Sequence, residues 1–143
     1  MVGIIVTGHG NFATGLLSSL KLIAGEQKEV VAVDFLEGEG SNDIKSNIRK
    51  VLESFKFKEV LILADLAGGS PFNMASLLSQ EVIEKDINVV SGANLPMLLE
   101  VALANSELNC NELLNIAKNS AIDGVKVFGE KKVTTVTEYE DGI

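Results

Sequence analysis

Ile4-Ile5-Val6-Thr7-Gly8-His9-Gly10-Asn11-Phe12 reads as a β-branched strand that ends among glycines, turns, and enters a helix. The same grammar repeats outward from it. Residues 30–35, 60–65 and 87–91, like residues 3–7, are short apolar runs of the kind buried on both faces of a parallel sheet. Between them Phe12, Leu16, Leu20 and Ile23 recur at helical spacing, as do Ile44, Ile48, Val51 and Phe55, then Met74, Leu77, Leu78 and Val82. Further helices are predicted over 96–104 and 110–121, with Gly124 as a stop. The alternation predicts a single α/β domain over residues 1–143, built on a mainly parallel, doubly wound sheet flanked by helices. After Gly124 the pattern changes to strand, turn, strand over residues 125–137. This late pair is expected to supply an antiparallel edge strand that reaches a partner subunit, because exposed edges need covering. Residues 138–143 are acidic and are expected to form a mobile tail.

Composition narrows the function. A chain of 143 residues suits one core. Its net charge of −8 and pI near 4.6 argue against nucleic acid and against an anionic membrane surface, both of which would repel it. The single cysteine, Cys110, cannot make an internal disulfide and reads as a buried small hydrophobe. Met1-Val2-Gly3 leads straight into a strand without a basic segment, and no apolar run approaches the roughly 20 residues of a membrane span. A cytoplasmic protein is expected.

In a doubly wound sheet the ligand sits beyond the carboxyl ends of the strands, where the strand order reverses. Three loops compete for that place: Gly8-His9-Gly10, Leu36-Glu37-Gly38-Glu39-Gly40-Ser41, and Asp65-Leu66-Ala67-Gly68-Gly69-Ser70-Pro71-Phe72-Asn73. With strand order 2-1-3-4, His9 and Asp65 leave the sheet side by side. An imidazole is the one side chain that is a neutral nucleophile near pH 7, and a carboxylate on Nδ1 fixes the tautomer that leaves Nε2 free to attack. Gly10, Gly68 and Gly69 let backbone approach an anion, and Ser70-Pro71 is suited to N-cap and first helical position. The helix starts near Asn11 and at Ser70 offer unpaired amides. The combination points to a phosphoryl group carried on His9, chemistry that needs no metal or other cofactor.

Taken singly, each residue has a plainer reading. A lone histidine is more often a surface residue, Asp65 a turn former, and Ser70-Pro71 an ordinary helix start. The loop with Glu37 and Glu39 reads as a solvated turn, since carboxylates are ill placed for phosphate, and Asn94-Leu95-Pro96 as a helix entry. Only the combination carries chemistry.

These residues also carry a family resemblance. Ile4-Ile5-Val6-Thr7-Gly8-His9-Gly10 with Phe12-Ala13, Val33-Asp34-Phe35 before Gly38-Glu39, Asp65 with Gly68-Gly69-Ser70-Pro71-Phe72-Asn73, and Gly92-Ala93-Asn94-Leu95-Pro96-Met97-Leu98 stand in family order. The chain resembles the IIA component of the mannose-type bacterial phosphoenolpyruvate-dependent sugar phosphotransferase system. The resemblance implies that His9 accepts a phosphoryl group on Nε2 from HPr and passes it to a IIB component, with Asp65 orienting the ring and Ser70 near the phosphate. It implies indirect coupling to membrane components IIC and IID, and a homodimer with an exchanged C-terminal strand. A threonine common in the family after the aspartate is Leu66 here, so no hydroxyl role passes to that position. Because the chain ends without a fused IIB domain, IIB is expected as a separate protein. The competing readings are the histidine domain of a dihydroxyacetone kinase phosphotransfer subunit, a flavodoxin-like module that only binds a phosphoanion, and a regulator controlled by its phosphorylation state.

Overall fold

The computed structural model describes residues 1–129 and places four parallel strands in the order β2-β1-β3-β4. The strands are β1 (Gly3–His9), β2 (Val30–Phe35), β3 (Glu59–Ala64) and β4 (Asp86–Val90). The helices are α1 (Phe12–Ala24), α2 (Ser41–Ser54), α3 (Ser70–Glu81), α4 (Leu95–Ala104) and α5 (Cys110–Asp123). A short turn of 3₁₀-helix, Asn105–Glu107, joins the last two. Among the described residues, no helix is long and apolar enough to cross a membrane.

Side chains along a strand alternate between faces, and here the alternation sorts the core into two layers. Ile4, Val6, Leu61 and Leu63 pack with Ala13 and Leu20 of α1, Met97, Leu98 and Val101 of α4, and Leu113 and Ala117 of α5. Ile5, Val60, Ile62 and Ile87 pack on the opposite face with Ile44, Ile48 and Leu52 of α2 and Ala75 and Leu78 of α3. The central strands are therefore apolar on both faces, which is why they read as continuous hydrophobic runs. The α2 stripe keeps a spacing of four and buries Leu52, while Ile23 and Leu77, expected on apolar faces, are exposed.

β1 extends to His9 instead of ending at Thr7, because Gly8 and His9 still pair in register with Asp34 and Phe35. His9 is thus the last residue of a strand, and its direction is set by the pleat. Gly124 does end α5 as expected, but with an ordinary helical φ of −71°. It is required for space: a Cβ there would stand 2.6 Å from Pro96 Cγ. The first run of the expected late pair, residues 125–128, forms no strand among the described residues. The backbone leaves α5 and reaches a turn at Phe128 and Gly129 with Val125, Val127 and Phe128 exposed. A strand needs a neighbour to take its amides, and among the described residues no strand pairs with this run. The remainder of the pair and the acidic tail fall outside the described residues.

Polar clasps hold the amino ends of the strands. Buried Asn105 accepts from the Val2 amide through Oδ1 at 2.9 Å and donates from Nδ2 to the Val2 carbonyl at 2.8 Å. Lys85 donates to the carbonyls of Phe55 and Phe57 at 2.9 and 2.6 Å, tying the approach to β3 to that of β4. Cys110 is buried as expected, and burial pushes its thiol up, away from reactive thiolate.

Asn105→Ala leaves both Val2 backbone groups buried without partners. The expected loss is about 2–4 kcal/mol in urea denaturation, and a loss below about 0.5 kcal/mol would show that the clasp contributes nothing.

Candidate active site

The parallel pairing of β1 with β3 sets Thr7 opposite Ala64, so the next residue of β3's chain, Asp65, arrives beside the end of β1. Its amide donates to the Thr7 carbonyl at 3.2 Å and carries the ladder one step past the strand. One carboxylate oxygen of Asp65 then accepts twice from His9, from the backbone amide at 2.9 Å and from ring Nδ1 at 2.7 Å. An ionised carboxylate can only accept, so Nδ1 bears the proton and Nε2 keeps its lone pair. Burial pushes the Asp65 carboxyl up, but the His9 amide, ring and charge together outweigh it and hold the group below its ordinary value of 3.8. The imidazole side chain is 50% exposed and the carboxylate 14%, so the ring is accessible while its partner is shielded. The edge of Phe35 closes a second side of the ring, with centroids 5.6 Å apart and planes at 69°.

The glycines act in two ways. Gly10 and Gly68 hold positive φ angles of 58° and 86°, the left-handed conformation their turns require. Gly8 and Gly69 are needed for space. A Cβ on Gly8 would lie 2.5 Å from Phe12 and 3.0 Å from Asp65 Cγ, where the carboxylate now sits. A Cβ on Gly69 would lie 2.8 Å from His9 Cε1 and 3.5 Å from Nε2. The Nε2 edge of the ring therefore lies directly against the start of α3.

The helix termini differ from the sequence expectation in two respects. Gly69, not Ser70, is the N-cap of α3, and Ser70 and Pro71 occupy the first two helical positions. No side chain caps this helix, so the first-turn amides of Ser70 and Phe72 stay open to an anion, with Pro71 between them carrying none. The start of α1, expected as the second anion-binding terminus, is already occupied. Asp34 accepts from the Thr14 amide at 3.0 Å and from its hydroxyl at 2.7 Å, placing a carboxylate where an anion would go. The helix that meets α3 is α2 instead: Ser41 Oγ and Ser70 Oγ are 3.1 Å apart.

His9 and Asp65 are thus brought together, with Gly69 and Ser70 beside them, and Gly10 and Gly68 shape the flanking turns. The Glu37/Glu39 loop closes on itself, Glu39 accepting from the Leu36 amide at 2.7 Å, as a solvated turn should. Asn94 caps α4 by accepting from the Met97 amide at 3.0 Å. Leu66 is an exposed apolar side chain at the rim. Phe35, Asp34 and Ser41 were missed. Period-two alternation places Ile5, Thr7 and His9 on the face that α2 and α3 cover, and this signal could have selected Ser41.

Known proteins resemble this chain along most of its length. A family model described as the PTS system fructose IIA component matches residues 3–118. The chain is 33% identical over 141 residues to a PTS system fructose-specific EIIA component of Bacillus subtilis, covering 96% of this chain and 95% of that protein. It is 34% identical over 135 residues to the PTS system mannose-specific EIIAB component of Escherichia coli, covering 92% of this chain and 41% of that longer protein. The crystal structure of phosphotransferase system component EIIA from Streptococcus agalactiae superposes with a TM-score of 0.86 at 42% identity, covering 91% of this chain and 99% of that one. A histidine held by one carboxylate at the carboxyl end of a 2-1-3-4 sheet, and likeness along nearly the whole chain, lead to one conclusion: this chain belongs to the mannose/fructose family of phosphotransferase system IIA components.

Proposed function

We propose that this chain is a phosphocarrier that accepts a phosphoryl group on His9 from phospho-HPr and passes it to a IIB component, working in the cytoplasm beside the IIC and IID membrane components. The observation that carries this reading is the double grip of one Asp65 oxygen on the His9 amide and Nδ1, which leaves Nε2 as the only free lone pair of the ring. In the forward step that lone pair forms the new N–P bond. The bond from phosphorus to the donor's histidine nitrogen breaks, and its electron pair stays with that nitrogen. His9 keeps its Nδ1 proton, and the positive charge that develops on the ring is balanced by Asp65. The open amides at the start of α3 and the Ser70 hydroxyl are the donors for the phosphoryl oxygens. Transfer to IIB is the same step reversed with a different partner. The names of the similar proteins differ in their sugar, in keeping with a component that handles phosphate alone.

A homodimer belongs to the same proposal. β4 ends the sheet with one edge unpaired among the described residues, and exposed Val125, Val127 and Phe128 follow α5. A strand supplied by a second copy would cover that edge. Light scattering at micromolar concentration is expected to give a dimer, and truncation after Gly124 a monomer or aggregate. A full-length monomer would refute the assembly.

Incubation with phosphoenolpyruvate, enzyme I and HPr is expected to add one acid-labile phosphoryl group by mass spectrometry, and His9→Ala to abolish it while retaining the fold. Reversible phosphoanion binding without an adduct would favour a binding module instead.

Asp65→Asn is expected to keep the fold and slow transfer by about 10²–10⁴-fold, because an amide can hold the wrong tautomer and does not balance the imidazolium. An unchanged rate would remove Asp65 from the mechanism. The same variant tests the linkage. A carboxyl held below 3.8 in the folded state stabilises it fully above that value and loses its contribution as pH falls through the lower folded value. The stability difference between wild type and Asp65→Asn should therefore shrink below pH 3.8, and a gap that widens on acidification would contradict the assignment.

A further inference from the structure

We infer that Ser41 is a positioning residue of the phosphoryl site, acting through the hydroxyl of Ser70. The inference rests on the reading of His9 as acceptor and extends it to a residue on a different helix. Alternation along β1 places His9 on the face of the sheet covered by α2 and α3, and these two helices begin at Ser41 and Ser70. Their packing through Ile44, Ile48, Ala75 and Leu78 is fully buried, so the separation of the two starts is fixed. The hydroxyls meet at 3.1 Å across 29 residues of sequence.

Hydroxyl usage elsewhere in the helices shows why this contact is distinctive. Ser18, Ser54, Ser76, Ser79 and Ser120 all donate to carbonyls three or four residues back in their own helices. Ser41 and Ser70 stand at first helical positions, with no carbonyl of their own helix behind them. Ser41 is not spent on capping either, since the Asp43 carboxylate takes the Gly40 amide at 2.8 Å. The partner of each hydroxyl is the other.

A hydroxyl has one proton and two acceptor sites. Ser70 can therefore direct its proton to Ser41 or to a phosphoryl oxygen, but not to both. The start of α3 lies against the Nε2 edge of His9, so a group on Nε2 stands over the turn that carries Ser70. A phosphoryl oxygen carries no proton and demands one from its neighbour. With that group in place Ser41 donates to the Ser70 oxygen, Ser70 donates onward, and each bond of the chain polarises the next. Ser41 thereby supplies a second-rank donor that never touches the phosphate.

The test is phosphoryl transfer from phospho-HPr to the full chain and to Ser41→Ala, Ser41→Thr, Ser70→Ala and the double alanine variant, with the ³¹P resonance of the adduct recorded for each. Ser41→Ala is expected to slow transfer by about three- to tenfold, the scale of one lost hydrogen bond, with an unchanged melting curve. Threonine should restore the rate. In the Ser70→Ala background, Ser41→Ala should add nothing, and both single variants should shift the ³¹P resonance in the same direction. A Ser41→Ala variant with wild-type rate and resonance, or one whose slowing multiplies fully with that of Ser70→Ala, overturns the inference while leaving His9 as acceptor. Wild-type protein that acquires no phosphoryl group on His9 overturns both.

Discussion

Everything at the carboxyl end of this sheet depends on one oxygen atom. Asp65 Oδ2 accepts from the His9 amide and from Nδ1 of the same residue, so the ring is referenced to its own backbone. A single bond to Nδ1 would choose a tautomer yet let the ring swing with the side chain. The second bond removes that freedom, because the carboxylate is itself anchored by the main chain of β1 through the Asp65 amide. The arrangement requires β1 and β3 to be neighbours and parallel, which the helical crossovers between successive strands make possible here. It also requires missing side chains: Gly8 vacates the space that the carboxylate fills, and Gly69 the space into which the ring turns.

Much of this was legible in the sequence, and the parts that were not have identifiable reasons. A parallel doubly wound sheet followed from apolar runs alternating with helical stripes; the order 2-1-3-4 that sets His9 beside Asp65 was a topological assumption, and the structure has that order. Helix termini were harder. Serine before proline has the chemistry of a cap, but the residue that meets the cap geometry is Gly69, whose φ and ψ are extended, and a one-residue offset is invisible to composition. The occupied start of α1 was hidden because its cap, Asp34, comes from the neighbouring strand twenty residues away from Thr14. Asn105 escaped notice for the same reason, its partner lying 103 residues earlier. Local patterns report local geometry, and these contacts are tertiary.

The two faces of the sheet do different work. α1, α4 and α5 build the larger apolar layer, and the terminus nearest His9 on that side is closed by a carboxylate. α2 and α3 build the smaller layer and bring an uncapped helix start and two hydroxyls to the side of the sheet on which His9 lies. With Asp34 closing one approach and Asp65 filling another, the electrostatics admit an anion from the α3 side alone. The net charge of −8 does not conflict with this, because the local donors are backbone amides whose field falls off within a turn.

The clasps at the opposite end of the molecule bear on how such a site meets other proteins. Asn105 and Lys85 knot the amino ends of the strands through hydrogen bonds between main-chain groups and a neutral amide or an ammonium, at the end of the sheet opposite His9. At the carboxyl end the Asp65 and Asp34 bonds hold the loops in the same way. Binding to a surface already ordered by its own hydrogen bonds costs less entropy than binding to a loose one. A carrier of the kind proposed above would gain from that saving, because it trades one partner for the next and needs accuracy more than a tight grip.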